Sequence, residues 1–170
     1  YPDLLYKKTG TTWNNYYKIS CVRNPWDLCV SYYWWSMWST PDHFKDVQIR
    51  QGDSYADVIR KFKKFLFSPA SIRDYVDPNT EFFKTTLDFL LRESDRFTTD
   101  DIDFYIRFEN IDKDIKSLCK NINIPPGDIP RFKSTQRKRS MHYVEYYDNI
   151  AKSVVGEKFK NYIEKFGYYF

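Results

Sequence analysis

Cysteine, histidine and glycine are scarce in this sequence, and each scarcity argues against a class of protein. The three cysteines, Cys21, Cys29 and Cys119, form no CxxC pair, so we expect neither a metal site nor a disulfide scaffold. The five glycines include no G-x-x-x-x-G-K-[ST] motif, which excludes a P-loop nucleotide kinase. The two histidines, His43 and His142, lie far apart in the chain, and we assign neither as a catalytic base.

Long apolar runs and a visible targeting signal are also missing. No stretch approaches the roughly 20 apolar residues that a membrane helix needs, and no signal peptide is visible. We therefore expect no membrane segment in this chain and take the cytoplasm as the default compartment. The first residue is Tyr1 rather than Met, which suggests a fragment. If a missing N-terminal part carries an anchor, the Golgi lumen is the alternative.

Aromatic side chains, in contrast, are abundant. They make up 20% of the 170 residues, and 42% of the residues are hydrophobic, so the composition predicts a single domain over residues 1–170 with a substantial core.

The net charge of +4 favours an anionic ligand but does not distinguish a nucleic acid from a phosphorylated cofactor or an acidic polysaccharide. A nucleic-acid-binding module, the alternative function, should interleave basic and aromatic residues on one face. Here the aromatics instead alternate on strands and stripe helices, so we expect no nucleic-acid partner.

Two strand–helix pairs predict an α/β fold with a parallel sheet. A strand over Tyr16–Val22 precedes a helix from Pro25 to about Trp38, and Asn24 is the expected N-cap. The alternation of apolar and polar residues over 102–108 predicts a second strand, which a helix over about Asp112–Asn121 follows.

Capping residues and apolar stripes predict further helices. The box Ser54-Tyr55-Ala56-Asp57 opens a helix, and we expect its basic residues to form a solvated face. These residues are Arg60, Lys61, Lys63 and Lys64. We also predict loops at 40–53 and 68–80 and a helix over Phe82–Leu91. Pro125-Pro126-Gly127 should stop the helix that ends near Asn121, and a basic segment follows at 128–141. The last helix should run from near Asp148 to Gly167, with an inward stripe of Ile150, Val154, Phe159, Ile163 and Phe166.

The segment after the first strand carries the chemistry. Arg23 lies at the predicted carboxyl end of a parallel strand, where open α/β sheets bind ligands, and the helix start beside it has positive partial charge and N–H groups. Ser31 lies about two turns into the helix, on the same face as Asp27. A phosphate here would meet a guanidinium fork, a hydroxyl and backbone N–H groups. The spacing predicts an anion site, unless Arg23 pairs with a carboxylate such as Asp27.

This segment closely resembles the 3′-phosphate-binding motif of sulfotransferases, R-[ND]-P-x-[DE]-R-x-V-S-x-Y. The matching residues are Arg23, Asn24, Pro25, Asp27, Val30, Ser31 and Tyr33, and Leu28 replaces the usual basic residue. The resemblance implies that Arg23 and Ser31 bind the 3′-phosphate of the sulfonate donor 3′-phosphoadenylyl sulfate (PAPS), without a metal. It also implies a P-loop-type parallel sheet flanked by helices, incomplete at its N-terminus.

Two later stretches are similar to the carbohydrate-type sulfotransferases. Residues 106–114 resemble a strand-to-helix segment, rFEnL-x-x-D, and residues 142–148 with 166–170 resemble a C-terminal pattern, hYxeYYd…FGYxF. The resemblance implies a nucleotide donor and a hydroxyl-bearing acceptor, namely a carbohydrate. It favours structural rather than catalytic roles for Glu109 and Tyr147.

Two basic segments bear on the rest of the donor site. In related sulfotransferases a basic loop before the last helix closes over the donor, so Arg137, Lys138 and Arg139 are candidate donor-binding residues, with a solvated loop as the alternative. The family's 5′-phosphate lysine lies in a loop between a strand and a helix. Tyr6–Trp13 resembles such a loop, but no apolar strand precedes it and no helix fits after it, so we treat this match as chance.

We therefore predict that the 170-residue chain transfers no sulfonate from PAPS by itself. Without the lysine, the charge that develops on the departing phosphate is unmatched, and the loss of one such donor costs about 10²–10³ in rate. A transfer assay with radiolabelled PAPS and a panel of carbohydrate acceptors tests this. Robust transfer would contradict it and would point to Lys7 or Lys8 as the missing lysine.

Overall fold

The computed structural model describes residues 15–39, 41–42, 44–67, 85–129 and 141–170. Within these residues the protein is an α/β fold with two strands and six α-helices. The strands are β1 (Ile19–Val22) and β2 (Phe104–Arg107). The helices are α1 (Pro25–Ser39), α2 (Tyr55–Phe67), α3 (Thr86–Arg96), α4 (Ile111–Asn121), α5 (Asn149–Lys158) and α6 (Lys160–Phe166). Two 3-10 turns, Phe108–Asn110 and Tyr143–Tyr146, follow β2 and precede α5.

The chain forms two compact units, and the sheet belongs to the first. The first unit comprises residues 1–23 and 92–130, and the second comprises residues 24–91 and 131–170. In the first unit β1 and β2 pair in parallel, with Ile19 opposite Phe104 and Val22 opposite Arg107. The predicted parallel pairing of these two strands is confirmed. The larger P-loop-type sheet and the single domain over residues 1–170 stay predictions.

Two carboxylates hold the strand pair at its ends. The Lys18 N–H donates to Asp103 Oδ2 at 2.7 Å just before the strands begin. The Arg107 N–H donates to Asp114 Oδ2 at 2.8 Å, which joins the end of β2 to helix α4. Among the residues of this unit that the structure describes, the buried apolar side chains are Val22, Leu118 and Cys119. The short sheet therefore relies on α4 and on these end contacts.

Helix α4 ends at the predicted residue, but for a different reason. Asn121 is its last residue, and Asn123 then takes a left-handed conformation with a φ of 56°. Asparagine visits this region more readily than other side chains, because its short polar group bonds locally. The chain has thus left the helix before Pro125-Pro126-Gly127, and the prediction that these residues stop it is wrong.

In the second unit, Tyr33 of α1 fixes both helix α2 and the loop before it. Its ring is fully buried and meets Phe62 and Phe65 of α2 edge-to-face, with centroid distances of 5.8 and 5.2 Å. Its hydroxyl donates to the Val47 carbonyl oxygen at 2.7 Å and accepts from the Ile49 N–H at 2.9 Å. The described part of the predicted 40–53 loop is therefore anchored by a helix that precedes it.

Helix α2 begins with the predicted capping box. The Asp57 N–H donates to Ser54 Oγ at 3.2 Å, and the Ser54 N–H donates to Asp57 Oδ2 at 3.3 Å. The prediction of a solvated basic face is wrong for Lys61, whose side chain is only 13% exposed and whose ammonium donates to Asp53 Oδ2 at 2.6 Å. The carboxylate that draws Lys61 inward comes from the loop before the helix.

The helices at 82–91 and 148–167 differ from their predicted bounds. Helix α3 covers Thr86–Arg96 instead of Phe82–Leu91, while residues 82–84 and the predicted 68–80 loop lie outside the described residues. The predicted last helix is interrupted at Phe159, which ends α5 and precedes α6 with a φ of −91° and a ψ of 16°. Gly167 ends α6 as predicted, in a left-handed conformation with a φ of 67°.

The inward face of α5 lies one residue away from the predicted stripe. Ala151 and Val155 are fully buried, whereas Ile150 is 65% exposed. Helix α1 approaches another face of α5 closely, since the Trp26 ring lies 3.2 Å from the point where a Cβ on Gly156 would sit.

Asp148 connects the start of α5 to helix α2. Its Oδ1 accepts from the Ala151 N–H at 2.8 Å, and its Oδ2 accepts from Lys63 Nζ at 2.7 Å. The predicted position of the helix start is confirmed, and the predicted solvated position of Lys63 is wrong, because this carboxylate holds its side chain at 28% exposure. The Ala151 N–H and the Lys63 ammonium together lower the pKa of Asp148.

We predict that Asp148→Ala lowers the free energy of unfolding by about 1–2 kcal/mol, because it removes the helix cap and the ion pair. Asp148→Asn is the matched control: it keeps a capping oxygen, loses only the charge, and should cost less. Urea titration at pH 7 measures both. Since the pKa of the folded-state carboxyl is lowered, its stabilisation is complete above the unfolded pKa of about 3.9 and is lost as the pH falls through the lowered value. Equal losses for the two variants would show that capping contributes little.

Candidate functional site

Arg23 and Phe108 meet at the carboxyl edge of the β1–β2 pair. Arg23 directly follows β1, Phe108 directly follows β2, and the last residues of the two strands are register partners. The guanidinium carbon of Arg23 lies 3.9 Å from the centre of the Phe108 ring, a close cation–π contact. The prediction that Arg23 lies at the carboxyl end of a parallel strand is confirmed.

Charges of both signs act on Cys21, the exposed residue before Val22. Partial burial raises the pKa of its thiol, Glu109 and Asp114 raise the pKa further, and Arg23 lowers it.

Asn24 closes the N-terminus of α1. Its Oδ1 accepts from the N–H groups of Trp26 and Asp27 at 3.1 and 3.4 Å, and its carbonyl oxygen accepts from the Leu28 N–H at 2.8 Å. Pro25 has no N–H. The predicted N-cap is confirmed, but the expectation that this helix end offers N–H groups to a phosphate is wrong, because the first-turn donors already have partners. Side chains would have to hold an anion here.

A C-terminal brace, formed by Tyr147, Tyr169 and Phe170, packs on the start of α1. Asn24 Nδ2 donates to the Tyr169 carbonyl oxygen at 2.8 Å, and the Tyr147 hydroxyl donates to the Trp26 carbonyl oxygen at 2.9 Å. The Phe170 ring centre lies 5.5 Å from that of Trp26 and 5.6 Å from that of Tyr147. The C-terminal pattern that the sequence analysis singled out therefore supports the first turn of α1.

The two buried nucleophiles near this turn, Cys29 and Tyr147, both have raised pKa values. Burial raises the pKa of the Cys29 thiol to about 12 and raises that of the Tyr147 hydroxyl well above its usual range. Both groups stay protonated at neutral pH. Their contacts are structural, which agrees with the structural role expected for Tyr147.

Ser31 and Asp27 lie one turn apart on α1, and both are half-buried. They belong to the second unit, whereas Arg23 belongs to the first. Binding of one phosphate by Arg23 and Ser31 stays a prediction, as does the alternative pairing of Arg23 with Asp27. The remaining candidates, Arg137, Lys138 and Arg139, lie outside the described residues, as does the Tyr6–Trp13 segment.

In the described part of the chain, no group of three or more His, Cys, Asp or Glu side chains is arranged to hold a metal ion. None of the helices described there combines the length and the apolar character needed to cross a bilayer. Comparison with known proteins adds no relative, since no family model, curated protein or solved structure matches the chain. The candidate site therefore rests on its own geometry and on the motif.

The partners of two residues at this site carry no clear signal in the sequence. Phe108 belongs to an apolar alternation and to the motif-like stretch 106–114, but neither pairs it with Arg23; its place directly after β2 does. Asn24 is recognisable as a cap, but its donation to Tyr169 joins residues far apart in the chain. Both depend on pairings that a local pattern does not contain.

We predict that Asn24→Asp destabilises the protein, although aspartate caps helices as well as asparagine does. The side chain is only 7% exposed, and a carboxylate there keeps the capping oxygen but sets a second oxygen against the Tyr169 carbonyl. We expect a loss of about 1–3 kcal/mol in the free energy of unfolding, measured by urea titration. Asn149→Asp makes the same chemical change at the exposed start of α5 and should be neutral or slightly stabilising. Equal stability of Asn24→Asp and the wild type would rule out the tie to Tyr169.

Proposed function

We propose that this chain contributes the 3′-phosphate-binding part of a PAPS-dependent sulfotransferase, which moves a sulfonate from PAPS to a hydroxyl of a carbohydrate acceptor. The observation that carries the proposal is the order of elements around Arg23. A parallel strand ends directly before the arginine, a capped helix begins directly after it, and Ser31 lies in the second turn of that helix. A chance match to the motif would not require either the strand or the cap.

The residue types suit a phosphate monoester. A guanidinium offers a planar fork of N–H donors that fits two phosphate oxygens, and a serine hydroxyl adds one further donor. When PAPS is bound, it supplies the activated sulfonate. The residues in question would hold its 3′-phosphate, which does not react, and would thereby contribute affinity and orientation.

Other parts of the proposal rest on resemblance to the family. Arg137, Lys138 and Arg139 are proposed to add cationic donors to the nucleotide, and the carbohydrate acceptor is proposed from the two later stretches of the sequence. No general base and no 5′-phosphate lysine is assigned to a residue of this chain.

The alternative function, a nucleic-acid-binding module without catalysis, has less support. Aromatic side chains that stack on bases must be exposed to reach them. In the helix that follows Arg23, Trp26, Tyr33 and Trp34 are all buried and are not available as a stacking surface, whereas Trp38, near the end of the helix, is 55% exposed.

We predict that the chain binds 3′-phosphoadenosine 5′-phosphate more tightly than 5′-AMP, because Arg23 and Ser31 act only on the 3′-phosphate. Isothermal titration calorimetry with both nucleotides measures the difference. Arg23→Ala should weaken binding of the bisphosphate by roughly 1.5–3 kcal/mol, the scale of a hydrogen bond to a charged group, and Ser31→Ala should cost less. Equal affinities of the wild type for the two nucleotides would refute the proposed function.

Arg107→Ala is the matched control, because Arg107 is also an arginine at the carboxyl end of a strand and its register partner directly precedes Arg23. Removal of its charge should change the affinity for the bisphosphate much less than Arg23→Ala does. Similar losses for both variants would indicate general charge attraction instead of a specific contact. Thermal melting of each variant separates loss of binding from loss of folding.

A further inference from the structure

We propose that Phe108 is a positioning residue, whose ring holds the Arg23 guanidinium in place for the 3′-phosphate. This inference rests on the proposed function, since the phosphate is the ligand assigned there. The juxtaposition itself is part of the first unit: the guanidinium carbon lies 3.9 Å from the ring centre. Phe108 would act through Arg23 and would not touch the nucleotide.

The contact restrains the arginine without using its hydrogen-bonding capacity. A phenyl ring has no hydrogen-bond acceptor atom, so stacking on it does not engage the N–H donors of the guanidinium in a hydrogen bond. An arginine side chain has about 2 kcal/mol of rotamer entropy to lose when it binds a ligand. Because the ring limits the rotamers of the arginine before the ligand binds, less of this entropy is lost on binding.

The backbone position of Phe108 is set by its neighbours. Phe108 begins the 3-10 turn after β2, and the Arg107 N–H, one residue earlier, is bonded to Asp114. The register partners Val22 and Arg107 precede Arg23 and Phe108 directly, so the ladder sets the spacing of the two side chains. Phe108 is nevertheless 44% exposed, which is more than expected of an aromatic residue whose main purpose is to fill a core.

The test compares Phe108→Leu, which keeps an apolar side chain but removes the aromatic face, with Phe108→Tyr, which keeps the face. Phe108→Leu should weaken binding of 3′-phosphoadenosine 5′-phosphate by about two- to fivefold, the size of an exposed cation–π contact. Its affinity for 5′-AMP should not change, and Phe108→Tyr should bind like the wild type. Phe97→Leu is the matched control, because Phe97 belongs to the same unit and is 42% exposed; it should change neither affinity.

A second comparison asks whether Phe108 acts through Arg23. In an Arg23→Ala background, Phe108→Leu should have no further effect on binding of the bisphosphate, since no guanidinium remains to be positioned. A full, additive loss in that background would overturn the proposal. Melting temperatures of all variants show whether each one is folded.

Each remaining outcome has a distinct meaning. If the wild type does not discriminate the two nucleotides, the proposed function fails, and the positioning role fails with it. If the wild type prefers the bisphosphate through Arg23, but Phe108→Leu binds the bisphosphate as tightly as the wild type does, only the positioning role is overturned. An equal loss for both nucleotides would mean that the ring contacts the nucleoside directly. Tighter binding by Phe108→Leu would mean that the ring competes with phosphate for the guanidinium.

Discussion

The amide oxygen and the amide nitrogen of Asn24 make different contacts, and the start of α1 is held by both. Its oxygen caps α1 and so sets where the helix begins, while its nitrogen holds the carbonyl of Tyr169. Because the start of α1 is fixed, Tyr33 is placed to fix α2 and the loop before it. Asn24, although it belongs to the motif, is thereby committed to the architecture.

The sequence predicted the features that depend on neighbouring residues. The Asn24 cap, the box between Ser54 and Asp57 and the left-handed Gly167 each involve groups within a few positions of one another, so residue types alone reveal them. Several errors arose where a partner outside the local pattern decides the outcome. Lys63 is drawn inward by Asp148, and Lys61 is drawn inward by Asp53 in the loop before its helix.

At the candidate site too, the local features could be predicted from the sequence, whereas the pairings between distant residues could not. The position of Arg23 at the end of a parallel strand could be predicted, because strand alternation and a helix start on either side of it are local patterns. The ring beneath the arginine could not, since it depends on the register between two strands that lie far apart in the sequence. The cap also removes the backbone donors that a helix start would otherwise present. The motif's asparagine is thus structural, and any affinity for an anion must come from side chains.

The tie between Asn24 and Tyr169 spans 145 positions of the chain, which has a consequence for the order of events during folding. The cap of α1 joins groups within three residues of one another, so it is complete as soon as the first turn forms. The brace that covers this turn comes from residues far along the chain, and contacts of such long sequence separation form slowly and leave apolar surface exposed in the meantime. We therefore expect the aromatic surface around Trp26 to be covered late in folding.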